Sequence, residues 1–190
     1  MGRTRKKYND SWMYILLLST VVILAESVKA FNFTLMDTKL TFALFLLPCI
    51  YAITNYITKK YGFRRSFNAI IISSLSLIAF VMIMSFAIGK ELNISGMSGQ
   101  LLGYIISQLV STLIYKFLLV NTNSPYLLVL LNYIFAYIVY YMVYTVVHLD
   151  MIILDTFWLS YFLALGIQTI ISIGVTILDK KIEVGIGKDD

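Results

Sequence analysis

One cysteine, one histidine and two prolines are spread over 190 residues, and only 13% of the chain is charged. Each shortage excludes something. The lone Cys49 sits in an apolar run, so no intramolecular disulfide and no thiolate zinc cluster is expected. There is no HExxH, no glycine-rich phosphate loop and no pair of carboxylates within an apolar segment, so no catalytic constellation, metal site or cofactor is expected either. A soluble domain carries about 25% charged residues. Here the shortfall runs along the whole chain, beside 59% hydrophobic residues and a mean hydropathy of +0.84. The composition predicts an all-α polytopic membrane protein embedded in a lipid bilayer, not a soluble domain with one anchor. The triplets at Asn32 and Asn93 match glycosylation acceptors but are read as chance.

What is present is a series of apolar segments. A spanning helix needs roughly 20 apolar residues, and lipid leaves no water to satisfy a bare backbone, so segments of this length are read as helices. The pattern predicts one six-helix membrane domain over 1–190, with helices at about 12–30, 40–58, 67–88, 99–120, 125–147 and 156–178. Residues 1–11 are a basic leader. Val28-Lys29-Ala30 resembles a signal-peptide cleavage site, but the first segment is kept as a helix whose Glu26 can pair with Lys29 at i+3. Gly62 is the turn residue after the second helix, and Pro125 opens the fifth at a position where its missing N–H costs nothing.

The charge of +5 does not point to nucleic acid, because the basic residues lie in short clusters between apolar segments, as orientation signals do. With a cytoplasmic N-terminus, the inner side holds 12 of the 15 Lys and Arg residues, among them Lys59, Lys60, Arg64, Arg65 and Lys116. The outer side holds only Lys29, Lys39 and Lys90. Both termini are therefore expected inside.

Polar residues recur on single helix faces at membrane depth. On the fourth helix, Tyr104, Gln108, Ser111 and Tyr115 share a face, beside a small-residue ladder of Gly103, Ser107 and Ser111 that allows close helix approach. On the fifth, Tyr126, Tyr133, Tyr137, Tyr140 and Tyr144 fall within about 60° of one another. Tyr161, Gln168 and Ser172 share a face of the sixth, and Thr41, Pro48, Asn55 and Lys59 one of the second. Helix packing and interhelical hydrogen bonding account for such stripes, and so does the lining of a polar cavity. Tyr137 and Tyr140 are placed to stack on a flat ligand.

The stretch LLPCIYAITNYITKKYGFRRS, followed by GYIISQLVSTLIYKF and QTIISIGVTIL, resembles in order and spacing the signature regions of the vitamin uptake transporter family, which includes queuosine precursor transporters. The resemblance spans about 38–178. It implies a six-helix carrier in the plasma membrane of a prokaryote, similar in layout to the substrate-binding components of energy-coupling-factor importers. The implied activity is uptake of a 7-deazaguanine or a related nucleobase or vitamin. Asn55, Gln108, Ser111 and Gln168 would hydrogen-bond the cargo and Tyr137 and Tyr140 would stack on it. The family has aspartates where this chain has Asn55 and Ser111, and a lysine where it has Gln168, so acid and base are lost together. Two other roles fit the same residues: a substrate-binding subunit docked on an ATP-driven partner, and a non-transporting membrane scaffold. A homo-oligomer is compatible with each.

Overall fold

The computed structural model describes residues 2–88, 94–122, 124–148 and 154–186. Six α-helices carry the fold: α1 Gly2–Ser27, α2 Leu47–Tyr61, α3 Phe63–Ile88, α4 Ile94–Asn121, α5 Pro125–His148 and α6 Leu154–Ile186. All six expected helices are present. The expected leader is the first part of α1, and α6 continues well past 178. Lys90 and the triplet starting at Asn93 fall at or beyond the edge of the described residues.

The main departure lies at residues 31–46. The sequence pattern predicts a loop and the start of a helix there. Instead a hairpin forms, β1 Asn32–Leu35 paired antiparallel with β2 Thr38–Thr41, followed by a 3-10 turn over Phe42–Phe45. Thr41 is thus a strand residue and not part of the α2 face. Pro48 gives the reason the helix starts late. It lacks an N–H, and its ring would meet the carbonyl four residues back, so it is tolerated in the first turn of α2 and not in the middle of a longer helix. The hairpin turns at Met36 and Asp37, whose φ values of +49° and +60° belong to the tight turn whose twist suits a hairpin. Phe33 packs on Phe42 and Phe45, at ring separations of 5.1 and 5.7 Å, and fastens the hairpin to the 3-10 turn.

Between α2 and α3, Gly62 has φ +86° and ψ 169°, a backbone region essentially reserved for glycine. The turn is clamped by Thr58 and Ser66, whose hydroxyls are 2.8 Å apart, while Ser66 Oγ also donates to the Thr54 carbonyl at 3.1 Å. Ser124 precedes α5, and its carbonyl accepts the Leu128 N–H at 3.1 Å, which leaves Pro125 in the first turn as expected. Glu26 and Lys29 form the i+3 ion pair.

Helix α2 is central and touches each of the other five helices. α1 lies against α2 and α3 on one side. α4, α5 and α6 follow in order on the other. The outer faces are apolar, and the interior holds a layer of polar side chains beside its apolar core, unlike a water-soluble bundle. Leu16, Leu75, Phe86, Phe117, Val120 and Ile170 are all at least 60% exposed, whereas Asn55, Gln108, Ser111, Asn132 and Gln168 are at most 1% exposed. Four segments are long and apolar enough to cross a bilayer: Phe42–Tyr61, Phe63–Ile88, Leu101–Asn121 and Tyr126–Val143. The apolar parts of the outer two helices, Ser11–Ser27 and Trp158–Gly174, are shorter.

Candidate functional site

Where α2, α4 and α5 meet, polar side chains are stacked in layers one helical turn apart. In the first layer the Tyr51 hydroxyl donates to Ser107 Oγ at 2.9 Å and lies 3.5 Å from the Ala136 carbonyl. One turn further along α2 is Asn55, along α4 Ser111, and back along the antiparallel α5 Asn132. These three form the second layer. Asn132 Nδ2 donates to Asn55 Oδ1 at 2.8 Å and to Ser111 Oγ at 2.7 Å, and Ser111 Oγ is 3.4 Å from Asn55 Oδ1. The equal step on all three helices follows from the shared rise of an α-helix. Small residues on α4 let α5 come close: a Cβ added to Gly103 would sit 3.4 Å from the Tyr140 ring and backbone oxygen.

The second layer is incompletely satisfied from within. Asn55 Nδ2 and Asn132 Oδ1, one donor and one acceptor, are buried with no hydrogen-bond partner in the protein. So are Gln108 Oε1, both polar atoms of Gln168, and the Tyr133 hydroxyl. Gln168 follows Ala164 by one turn, and Ala164 packs in one cluster with Tyr51 and Tyr133. Gln168 is therefore one turn beyond this cluster on α6, fully buried. Buried polar atoms normally have partners, and in a low-dielectric interior each orphan costs about 1–3 kcal/mol. The unpartnered polar atoms of Asn55, Gln108, Asn132, Tyr133 and Gln168, all in one bundle core, are the chemical signature of this site. They offer neutral donors and acceptors and no charge.

The tyrosines arrange differently from expectation. Tyr133 and Tyr137 stack on each other at 5.6 Å and 28°, and Tyr137 and Tyr140 at 6.5 Å and 29°. Tyr51 meets Tyr133 edge-on at 5.4 Å, and Tyr161 packs on Tyr137 at 5.5 Å. The Tyr137 hydroxyl bonds to Ser160 at 3.2 Å, tying α5 to α6. This ladder forms a wall of offset rings along α5 that reaches α2 through Tyr51 and α6 through Tyr161. Of the α4 stripe, Tyr104 turns away to α3, its hydroxyl 2.7 Å from Ser73 Oγ, and Tyr115 packs with Leu128 and Val129. Ser111 bonds within the amide layer, and Gln108 is buried in the core with its Oε1 unpartnered.

The structure thus joins Asn55 to Ser111, buries Gln108 and Gln168 in the bundle core, and sets Tyr137 and Tyr140 in a wall of rings. It also adds Asn132 and Tyr51, which the stripe-by-stripe reading omits. Asn132 is legible in the sequence: it is a single amide inside the apolar run LLVLLNYIF, which at membrane depth marks a functional position. The tyrosine periodicity of the same helix masks it. Among the described residues no group of three or more His, Cys, Asp or Glu converges to hold a metal ion. The apolar exterior and the uncharged polar interior define a helical bundle of membrane type. Comparison with protein-family models, curated proteins and solved structures finds no match.

Proposed function

We propose that the chain is a six-span carrier with both termini cytoplasmic, which imports a small, flat, uncharged heterocycle across a prokaryotic plasma membrane. One observation carries the reading: Asn55 and Asn132, hydrogen-bonded to each other and to Ser111 in the bundle core, keep a buried donor and a buried acceptor without partners, and Gln108 and Gln168 are buried with unpartnered amide atoms of their own. A cargo with adjacent donor and acceptor groups, such as the lactam edge of a nucleobase, matches Asn55 Nδ2 and Asn132 Oδ1, while Gln108 and Gln168 have the chemistry to extend the pattern. The apolar outer faces and the signature-like stretches around Pro48, Tyr104 and Gln168 support the assignment to a vitamin-uptake type of carrier, with a 7-deazaguanine as the first cargo to test. Loss of the acid and base positions fits a neutral cargo, since a charge left alone at this depth costs several kcal/mol (about 2.5–3.5 on insertion scales).

Uptake of radiolabelled queuosine precursor by a strain lacking other routes is expected to depend on this chain and to fall at least tenfold in Asn55→Leu. Uptake that is unchanged when the chain is deleted sinks that cargo. The stacked tyrosine wall also suits a rigid membrane scaffold. That reading gains if no base or vitamin accumulates while loss of the chain depletes a membrane complex. Co-purification with an ATPase would instead make it the substrate-binding subunit of a larger importer.

A further inference from the structure

The hydrogen bonds among Asn55, Ser111 and Asn132 close a ring that runs in one direction. Asn132 Nδ2 donates to Ser111 Oγ at 2.7 Å and to Asn55 Oδ1 at 2.8 Å, and Ser111 Oγ donates to Asn55 Oδ1 at 3.4 Å. The two amide atoms outside the ring, Asn55 Nδ2 and Asn132 Oδ1, are buried and unpartnered. Each amide spans about 2.2 Å from nitrogen to oxygen, so across the 2.8 Å bond these outer ends are at most about 7 Å apart. Two hydrogen bonds to neighbouring atoms on one edge of a flat ring bridge such a gap.

The shape of the ring does not fix its direction. The oxygen and NH2 ends of an asparagine amide are nearly alike in size, and half a turn about Cβ–Cγ exchanges them. A serine hydroxyl carries one rotatable donor hydrogen and two acceptor lone pairs. With both amides turned, Asn55 Nδ2 donates to Asn132 Oδ1 and to Ser111 Oγ, and Ser111 Oγ donates to Asn132 Oδ1. The same three contacts persist with donor and acceptor exchanged. Turning one amide alone would set nitrogen against nitrogen or oxygen against oxygen at 2.8 Å, so the two turn together. All three side chains are neutral, so no charge among them selects a direction.

Reversal changes what the outer ends present. In one direction Asn55 offers a donor and Asn132 an acceptor, the complement of a lactam edge, where C=O lies beside N–H. In the other, Asn55 offers an acceptor and Asn132 a donor, the complement of an amidine edge, where C–NH2 lies beside a bare ring nitrogen. A site whose buried groups are fixed in one sense leaves them unpaired against the wrong analogue and rejects it strongly. A ring that reverses pairs with both.

We infer that the Asn55–Ser111–Asn132 ring is a reversible specificity element, which accepts a lactam or an amidine edge of a flat heterocycle in one and the same pose. The inference rests on the proposed ligand site at these amides and widens its cargo from oxo to amino rings. Edges with no donor are excluded in either direction, because the ring always presents one donor and one acceptor.

The test compares 7-deazahypoxanthine with 7-deazaadenine, which differ only at this edge. Both are titrated calorimetrically into the purified full chain in detergent micelles, and crystal structures of both complexes give the pose. The two Kd values are expected to lie within about tenfold of each other, and 1-methyl-7-deazahypoxanthine, whose edge no longer donates, should bind at least about tenfold more weakly than either. In the crystals the exocyclic oxygen of one ring and the amino group of the other are expected at the same position. A preference of more than about tenfold for either ring overturns the reversal and leaves the proposed ligand site standing. So does an amino ring bound turned over, with its exocyclic group on the opposite side, since that pose needs no reversal. Undiminished binding of the methylated ring means that the edge shared by all three compounds is read instead, and also overturns it. Binding of none of the three overturns the inference together with the ligand site at these amides.

Discussion

Asn132→Leu is expected to lower the stability of the protein by about 1–2 kcal/mol, measured as unfolding in detergent micelles. Asn132 Nδ2 bonds to both Asn55 and Ser111, and all three residues are at most 1% exposed. The hydrogen bonds alone would give the lower end of this range, because interhelical bonds in membrane proteins average about 0.6 kcal/mol each. The orphaned groups decide the size. After the substitution Asn55 Oδ1 loses its 2.8 Å donor and keeps only the 3.4 Å approach of Ser111 Oγ, a loss of about 1–3 kcal/mol for an unsatisfied buried polar group that removal of the already unpartnered Asn132 Oδ1 partly offsets. The double variant Asn55→Leu/Asn132→Leu removes donor and acceptor together. It should therefore cost less than the sum of the single changes, by about 1–2 kcal/mol, within the range seen for residues in contact. Strict additivity would mean that the two amides are not coupled, and the second layer would lose its centre.

The second large effect concerns charge. Asn55→Asp places a carboxylate at the bundle centre, and Gln168→Lys places an ammonium at a fully buried position of α6. Insertion scales put the cost of either charge at about 2.5–3.5 kcal/mol. Each single variant is expected to be destabilised by that amount and to express poorly. The double variant should recover a substantial part of the loss, because an acid and a base within reach of each other offset their desolvation when paired. The new carboxylate at position 55 would also accept from Asn132 Nδ2 and Ser111 Oγ, the two donors that already face this oxygen, so the acid alone should be the better tolerated of the two. The double variant discriminates between two geometries. Recovery means that positions 55 and 168 address one space. Two independent penalties mean that Gln168 faces a different part of the interior.

How far the sequence reveals this architecture differs from element to element. The six helices are legible because each is an apolar run bounded by glycine, proline, asparagine or a charge cluster, and lipid permits little else. Pro125 and Gly62 mark their turns by backbone chemistry alone, and the structure has both where expected. The hairpin at Asn32–Thr41 is not legible. Its turn uses Met36 and Asp37 in place of the Asn-Gly or Asp-Gly pair that announces such turns, and methionine in a left-handed conformation costs about 1–2 kcal/mol that only the surrounding packing can offset. The late start of α2 is legible at Pro48, but the length of the apolar run outweighs it. Within the site, face periodicity lists Tyr104 and Ser111 together, and each makes an interhelical hydrogen bond, Tyr104 to Ser73 of α3 and Ser111 with Asn132 of α5, a choice of neighbour that a shared helix face does not specify. The pairing of Asn55 with Asn132 bridges 77 positions of sequence, and nothing local encodes it.

The tyrosine wall refines the proposed ligand geometry. Tyr137 lies between Tyr133 and Tyr140 and is tied to Ser160, so its role is to set the wall and join α5 to α6. A flat ligand entering the amide layer would meet the edge of this ladder, with Tyr140 the only one of the three not fully buried. Under the proposed reading, specificity would rest on the amides of Asn55, Asn132, Gln108 and Gln168, whose chemistry suits a neutral cargo.

Whether these unpartnered amides form a ligand site is tested most directly by thermal unfolding of the purified protein against a panel of nucleobases, 7-deazaguanines and vitamins. A ligand that binds only the folded state must stabilise it. At a concentration about 100-fold above its Kd, a true ligand is expected to raise Tm by about 5–10 °C in the native chain, and by far less in Asn55→Leu and Gln168→Leu. A panel without effect, or a shift that persists undiminished in both variants, would contradict a ligand site at these amides.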